Sequence, residues 1–154
     1  MEQNKFNKYF LILISFFVIY SCQFEWVEER RIFLKKIEFG LSVRDAFKQK
    51  SIKYFSQDSS NNNYILNISN LKFKKKNFYG GSGARAQQIE IIGQLEYSFS
   101  DMTSNYGGKL EISGWIPVNE NNPQAEMTAQ QKMIEELEFL LLEDLFQEYW
   151  LIES

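Results

Sequence analysis

Between Gln88 and Phe99 the chain alternates between a largely apolar and a largely polar set of positions. Ile89, Ile91, Gly93, Leu95, Tyr97 and Phe99 fall on one side, and Gln88, Glu90, Ile92, Gln94, Glu96 and Ser98 on the other. Successive side chains of a strand point to opposite faces. The pattern therefore demands a sheet with one face on a core and the other toward water or a polar partner. Asp101 to Gly108 (DMTSNYGG) reads as a hairpin loop. Leu110, Ile112, Gly114 and Ile116 then alternate with Lys109, Glu111, Ser113 and Trp115, as an antiparallel return strand does.

Such a sheet needs a covering layer, and the C-terminal segment supplies one. Pro123 opens it, and from Ala125 onward there is neither Gly nor Pro. Ile134, Leu137, Leu141, Leu145, Tyr149 and Ile152 recur every three or four residues, the apolar stripe of an amphipathic helix predicted over Met127 to Leu151. Glu135, Glu138, Glu143 and Glu148 occupy much of the remainder and read as a solvated face rather than a metal site, since no other ligand type supports them. Ile89, Ile91, Leu95, Tyr97, Ile112, Leu137 and Leu141 are the predicted core.

Upstream the signals are shorter. Arg31 to Ile37 reads as a first strand and Ser42 to Gln49 as a short helix. Ser42 and Asp45 resemble a capping box there, and Leu41, Ala46 and Phe47 are candidates to face inward. Ser51 to Phe55 reads as a second strand, Ser56 to Asn63 as a polar loop, and Tyr64, Leu66 and Ile68 as alternating strand positions. That alternation runs on weakly through Leu71 and Phe73 into Lys74, Lys75 and Lys76, before Gly80, Gly81 and Gly83 mark a turn. The predicted fold class is α+β: a sheet of about four strands, a short N-terminal helix, and a long C-terminal amphipathic helix packed on the sheet.

The first residues belong to a different kind of segment. Lys5 and Lys8 precede Tyr9 to Tyr20 (YFLILISFFVIY), an apolar run without a charge. As a helix it would span about 18 Å, against a hydrocarbon core of about 30 Å, which suits a signal peptide better than a permanent anchor. Ile19-Tyr20-Ser21-Cys22 closes the run and resembles a lipobox. The expected organisation is a lipoprotein signal peptide over 1–21, a lipidated tether over 22–30 with acylation at Cys22, and a domain over 31–154. An ordinary secretory peptide and an uncleaved anchor are the alternatives. Gln23 stands where Asp commonly marks inner-membrane retention, so the resemblance to Gram-negative lipoproteins implies the outer membrane.

Composition narrows the function classes. The 154 residues include no histidine, and Cys22 is the only cysteine. The usual general base near neutral pH is missing, as are an intrachain disulfide, a Cys-ligated zinc site and a Cys–His dyad. A net charge of −3 gives no global reason to bind nucleic acid. Glu90 and Glu96 share a strand face about 20 Å apart, too far for a catalytic pair. The expectation is no enzyme, no cofactor and no metal.

The order of elements resembles the LptE-type LPS-assembly lipoproteins. The residues that carry the resemblance are Cys22-Gln23-Phe24, the segment Leu41 to Phe55, the strand pair Ala86 to Phe99 and Lys109 to Ile116, and above all Asn122 to Tyr149 (NPQAEMTAQQKMIEELEFLLLEDLFQEY). Gln23 departs from a frequent Gly, the segment between tether and first helix is short, and the last helix is unusually acidic. The resemblance implies an outer-membrane lipoprotein inside the lumen of an LptD-type β-barrel, plugging it and supporting its assembly while lipopolysaccharide is inserted. The partners it implies are that barrel, lipopolysaccharide, and the membrane through Cys22.

Lys72, Lys74, Lys75, Lys76 and Arg85 are candidates to contact lipopolysaccharide phosphates or acidic barrel residues; the plainer reading is a charge run that blunts a strand edge. Trp115 is either a partner contact or covered by the last helix. Phe24 and Trp26 suit the headgroup level or packing on the domain. A second function class is a generic outer-membrane adaptor that recruits a periplasmic partner.

Overall fold

Six strands and two helices follow one another in a computed structural model that describes residues 31–58, 63–79, 86–118 and 121–153. They are β1 (Ile32–Leu34), β2 (Lys36–Phe39), α1 (Asp45–Tyr54), β3 (Phe55–Gln57), β4 (Ile65–Tyr79), β5 (Ala86–Ser100), β6 (Asn105–Pro117) and α2 (Pro123–Glu153). Cys22 and the tether, Phe24, Trp26, the three turn glycines and Arg85 lie outside the described residues. All described residues belong to one compact unit.

The main sheet has the order β2-β4-β5-β6, and β1 and β3 make a separate parallel pair. β2 runs parallel to β4, while β4, β5 and β6 are antiparallel neighbours. α2 lies on β5 and β6 and also contacts α1. This is the predicted α+β arrangement. A 31-residue helix is about 46 Å long and a 15-residue strand about 50 Å, so α2 matches the long strands it covers.

The β5 alternation is realised as read. Ile89, Ile91, Leu95, Tyr97 and Phe99 are buried, with Gly93 between them under Phe73 and Leu141. Leu137, Leu141, Leu145 and Tyr149 of the helix stripe are buried against them, with Leu142. Each such side chain contributes about 1.5–3 kcal/mol when fully buried. Of the predicted core only Ile112 is less than buried, because β6 is the sheet edge.

Several local elements differ from expectation. The strand expected over Arg31 to Ile37 is two strands in two sheets. Ile32 and Leu34 point inward, and so does Ile37, three residues on; the chain breaks its alternation at Lys35, whose N–H donates to the Tyr64 carbonyl at 2.9 Å. The short helix starts three residues later than expected and runs through most of the expected second strand. Phe47 and Ser51, one turn apart, both face inward, and the Ser51 hydroxyl donates to the Phe47 carbonyl at 2.8 Å, so only β3 remains extended. Ser42 is no cap: it donates to Asn70 at 2.9 Å, while Arg44 holds the N-cap position. Leu41 and Ala46 are exposed, and Val43 fills the inward position instead.

The last helix begins at Pro123, four residues before its predicted start. The Asn122 side-chain oxygen accepts from the Ala125 N–H at 3.0 Å, and proline at the first helical position needs no partner for an N–H it lacks. The β5–β6 loop is also tighter than expected, because β6 already begins at Asn105. Asp101 closes it, accepting the backbone N–H of Thr103 and of Ser104 at 2.6 Å each.

Candidate functional site

Both helices pack on one side of the main sheet, and among the described residues no element covers the other side. Which lysines reach that open face is decided by one residue of β4. Leu66 and Ile68 point into the core, but the next inward residue is Leu71, because the β4–β5 register shifts between Ile68 and Asn70. Ser69 is the extra residue of this bulge, and β2 ends against it. The Gly40 N–H donates to the Ile68 carbonyl at 2.8 Å, and a Cβ on Gly40 would collide with the Ser69 backbone. The bulge inverts the parity of everything downstream.

The lysines are therefore divided. Lys75 pairs in register with buried Ile91 and turns to the helix side, where it donates to Gln130 of α2 at 3.1 Å. Lys72, Lys74 and Lys76 are exposed on the opposite face, aligned across the strands with Gln94, Ile92 and Glu90, and then with Glu111, Ser113 and Trp115. Arg85 lies outside the described residues.

Trp115 also belongs to this open face and is 46 % exposed, so α2 does not cover it. Its ring lies 4.6 Å from that of Phe78, and the Lys76 ammonium sits 4.7 Å above the Phe78 ring. A cation over an aromatic face is held by the ring quadrupole. Four residues along β6 from Trp115, on the same face, Glu111 accepts from Gln94 at 2.6 Å and from Lys109 at 3.1 Å. Lys109 first, then Gln94, and at longer range Lys74, hold its carboxyl below the usual carboxylate range. The face thus presents a basic row along β4, an aromatic pair at one end, and a hydrogen-bonded Lys–Glu–Gln group on β5 and β6. It suits a flat, polar or anionic surface.

A second polar centre lies between the two helices. Glu138, expected on a solvated helix face, is instead buried, with its side chain 2 % exposed. Arg44 donates to one of its oxygens and Lys50 to the other, the latter at 2.8 Å. Arg44 also lies over the Phe73 ring, 5.3 Å from its centre. This group joins α1 to α2 over the middle of the sheet. Glu148 is likewise engaged: it accepts from the Tyr97 hydroxyl at 2.8 Å, and burial followed by that bond pushes the Tyr97 phenol well up. Glu138 follows the core residue Leu137 and precedes Leu141 and Leu142 by three and four positions. That spacing was the available signal.

Among the described residues, no three carboxylates, cysteines or histidines are grouped to hold a metal ion, and no helix is long and apolar enough to cross a membrane.

No protein-family model matches the chain, and no curated protein does. Solved structures do share its fold. The rare lipoprotein B of Shewanella oneidensis superposes with a TM-score of 0.62 at 10% identity, covering 77% of this chain and 96% of that one. A minor lipoprotein of Acinetobacter baumannii gives 0.58 at 10% identity, over 76% and 91% of the two chains. An uncharacterized lipoprotein B of Nitrosomonas europaea gives 0.59 at 7% identity, over 78% and 86%. The chain has the fold of these bacterial lipoproteins.

Proposed function

We propose that this protein is an outer-membrane lipoprotein, acylated at Cys22, that plugs an LptD-type β-barrel and supports its assembly in lipopolysaccharide transport. One coincidence carries the reading. A chain whose sole cysteine closes a lipobox-like motif also has the fold of three solved lipoproteins, in the element order expected from the LptE-type resemblance. The physical task is consistent with the domain: a barrel wide enough to pass a glycolipid leaks unless its lumen is filled. The role needs no catalytic residue, cofactor or metal. Several acyl chains on Cys22, each adding about 0.8 kcal/mol per buried CH₂, would hold the domain stably at a leaflet.

Depletion tests the role. Loss of the protein should leave the barrel misassembled and reduce surface lipopolysaccharide, and re-expression should restore both. Normal surface lipopolysaccharide together with no barrel in a pull-down would favour the adaptor that recruits a periplasmic partner. Intact mass of the membrane form should show a chain starting at acylated Cys22; a soluble product starting elsewhere refutes the tether.

A further inference from the structure

The two long edges of the main sheet are built differently. β2 covers only Ile65 to Ile68 of β4, so the rest of β4 is an edge, and that edge carries Lys72, Lys74, Lys75 and Lys76 as well as the Ser69 bulge. Lysines and bulges are the ordinary means of stopping an edge from recruiting another strand. β6, the opposite edge, has neither a bulge nor a run of lysines. Its 13 residues pair with β5 without a register shift, its only proline is the terminal Pro117, and its only lysine is Lys109. Among the described residues no strand pairs with its outer side.

The backbone parity of that edge is defined. Val118 donates to the Gln87 carbonyl, so even-numbered residues of β6 turn their backbone groups to β5 and odd-numbered ones turn theirs outward. Lys109, Glu111, Ser113 and Trp115 are therefore the residues that would bond an added strand. An antiparallel pairing of β6 with itself must have a register in which odd residues meet odd residues. Centring it on Leu110 places Lys109 opposite Glu111 of a second copy, twice over by symmetry. It also sets Gly108 opposite Ile112 and Tyr106 opposite Gly114, large against small on the core side. Centring it one residue earlier sets Lys109 against Lys109, and one residue later sets Glu111 against Glu111. Only one register joins unlike charges.

We propose that β6 is a strand-pairing edge whose occupant is a second copy of this chain, joined antiparallel about Leu110 into a continuous eight-stranded sheet. Leu110 and Ile112, partly buried at this edge, become core residues of the pair. The inference does not depend on the barrel-plug reading, and it describes the chain when no barrel partner occupies that edge.

The test uses full-length protein purified in detergent, without any barrel. Light scattering, corrected for bound detergent, should give a polypeptide mass of two chains that falls to one on dilution. Lys109→Glu should loosen the dimer roughly tenfold or more, because two favourable cross-strand pairs become two repulsive ones, whereas the loss of its bond to Glu111 of its own chain is common to monomer and dimer. Lys109→Glu combined with Glu111→Lys should restore it, with unchanged circular dichroism throughout. Leu110→Cys should form an interchain disulfide on mild oxidation, as residues facing each other across the axis can, whereas Ser113→Cys, about 20 Å from its own copy, should not. A single-chain mass at all concentrations overturns the proposal. So does a dimer indifferent to Lys109→Glu, or crosslinking at Ser113→Cys rather than Leu110→Cys.

Discussion

Removing both cations from Glu138 should destabilise the domain far more than removing either, and removing the carboxylate afterwards should reverse the loss. Glu138 keeps 2 % of its side-chain surface, while Arg44 keeps 46% and Lys50 36%. The anion alone is therefore desolvated; the cations can return to water. Arg44→Ala or Lys50→Ala leaves one partner in place and should cost about 1 kcal/mol each, the range for a charged hydrogen bond discounted for solvent exposure. With both gone, a buried carboxylate has no counterion, and the expected cost is about 3–5 kcal/mol, more than the two single losses together. In a domain of this size that lowers Tm by roughly 10–20 °C. Adding Glu138→Leu places an apolar side chain among Leu137, Leu141 and Leu142 and should recover most of the loss. Urea and thermal unfolding of the four variants provide the measurement. Additive single and double losses would refute the assignment of the cost to the orphaned anion, as would a Glu138→Leu change that destabilises in the doubly substituted background.

Gly40→Ala should lose more than about 2 kcal/mol, because the new methyl meets the Ser69 backbone, which cannot swing aside. Gly93→Ala should lose only about 1 kcal/mol, because its neighbours are side-chain atoms of Phe73 and Leu141, which can give by a few tenths of an ångström, rather than backbone; equal losses in denaturant would refute the contrast. Backbone N–H donors from Thr103 and Ser104 hold the Asp101 carboxyl down to about 2, below its ordinary 3.8. A depressed folded-state value means a stabilising contribution present above pH 3.8 and lost as pH falls through about 2. Asp101→Asn should therefore flatten the unfolding curve across that window, and an unchanged acid limb would refute it. Charge reversal of Lys72, Lys74 and Lys76 should weaken lipopolysaccharide binding in a salt-dependent way with stability nearly unchanged, while reversal of Lys75 should not. An equal effect of Lys75 would refute the division of the row between two faces.

The parts of the fold that were legible are those in which one period runs unbroken. β5 shows a two-residue alternation from Gln88 to Phe99, with Ile92 the one apolar residue on the polar side, and α2 a three-and-four spacing over six apolar positions, and each packs as its pattern demands. The parts that were not legible are those in which the period is interrupted. Lys35 separates two strands that look like one, and the Phe47–Ser51 pair extends α1 into residues whose composition favours a strand. Glu138 was hidden for a different reason. A glutamate on an acidic helix is ordinarily solvated, and only the fold of α1 brings two cations onto it. No local pattern encodes a contact between residues 44 and 138.

Ser69 shows how much can hang on one such interruption. Counted in twos from Ile68 with no bulge, Lys72, Lys74 and Lys76 would point under α2 and Lys75 alone would face outward. Three buried ammonium groups would then have to find partners on a helix already committed to the core, at a cost of several kcal/mol each. The same count would expel Leu71 and Phe73 to the open face and remove them from their places beside Leu95 and over Gly93. The bulge avoids both losses together: Leu71 stays buried, and the three lysines form a row spaced about 7 Å apart along one strand. Gly40 is part of the same device, since β2 must pass close to Ser69 for the extra residue to fit. Gly40→Ala should therefore disturb more than stability. If it displaces the bulge, Lys75 and its neighbours exchange faces, and amide exchange along Asn70 to Lys76 should rise while β5–β6 protection persists. Uniform loss of protection across the sheet would show instead that Gly40 acts only through packing.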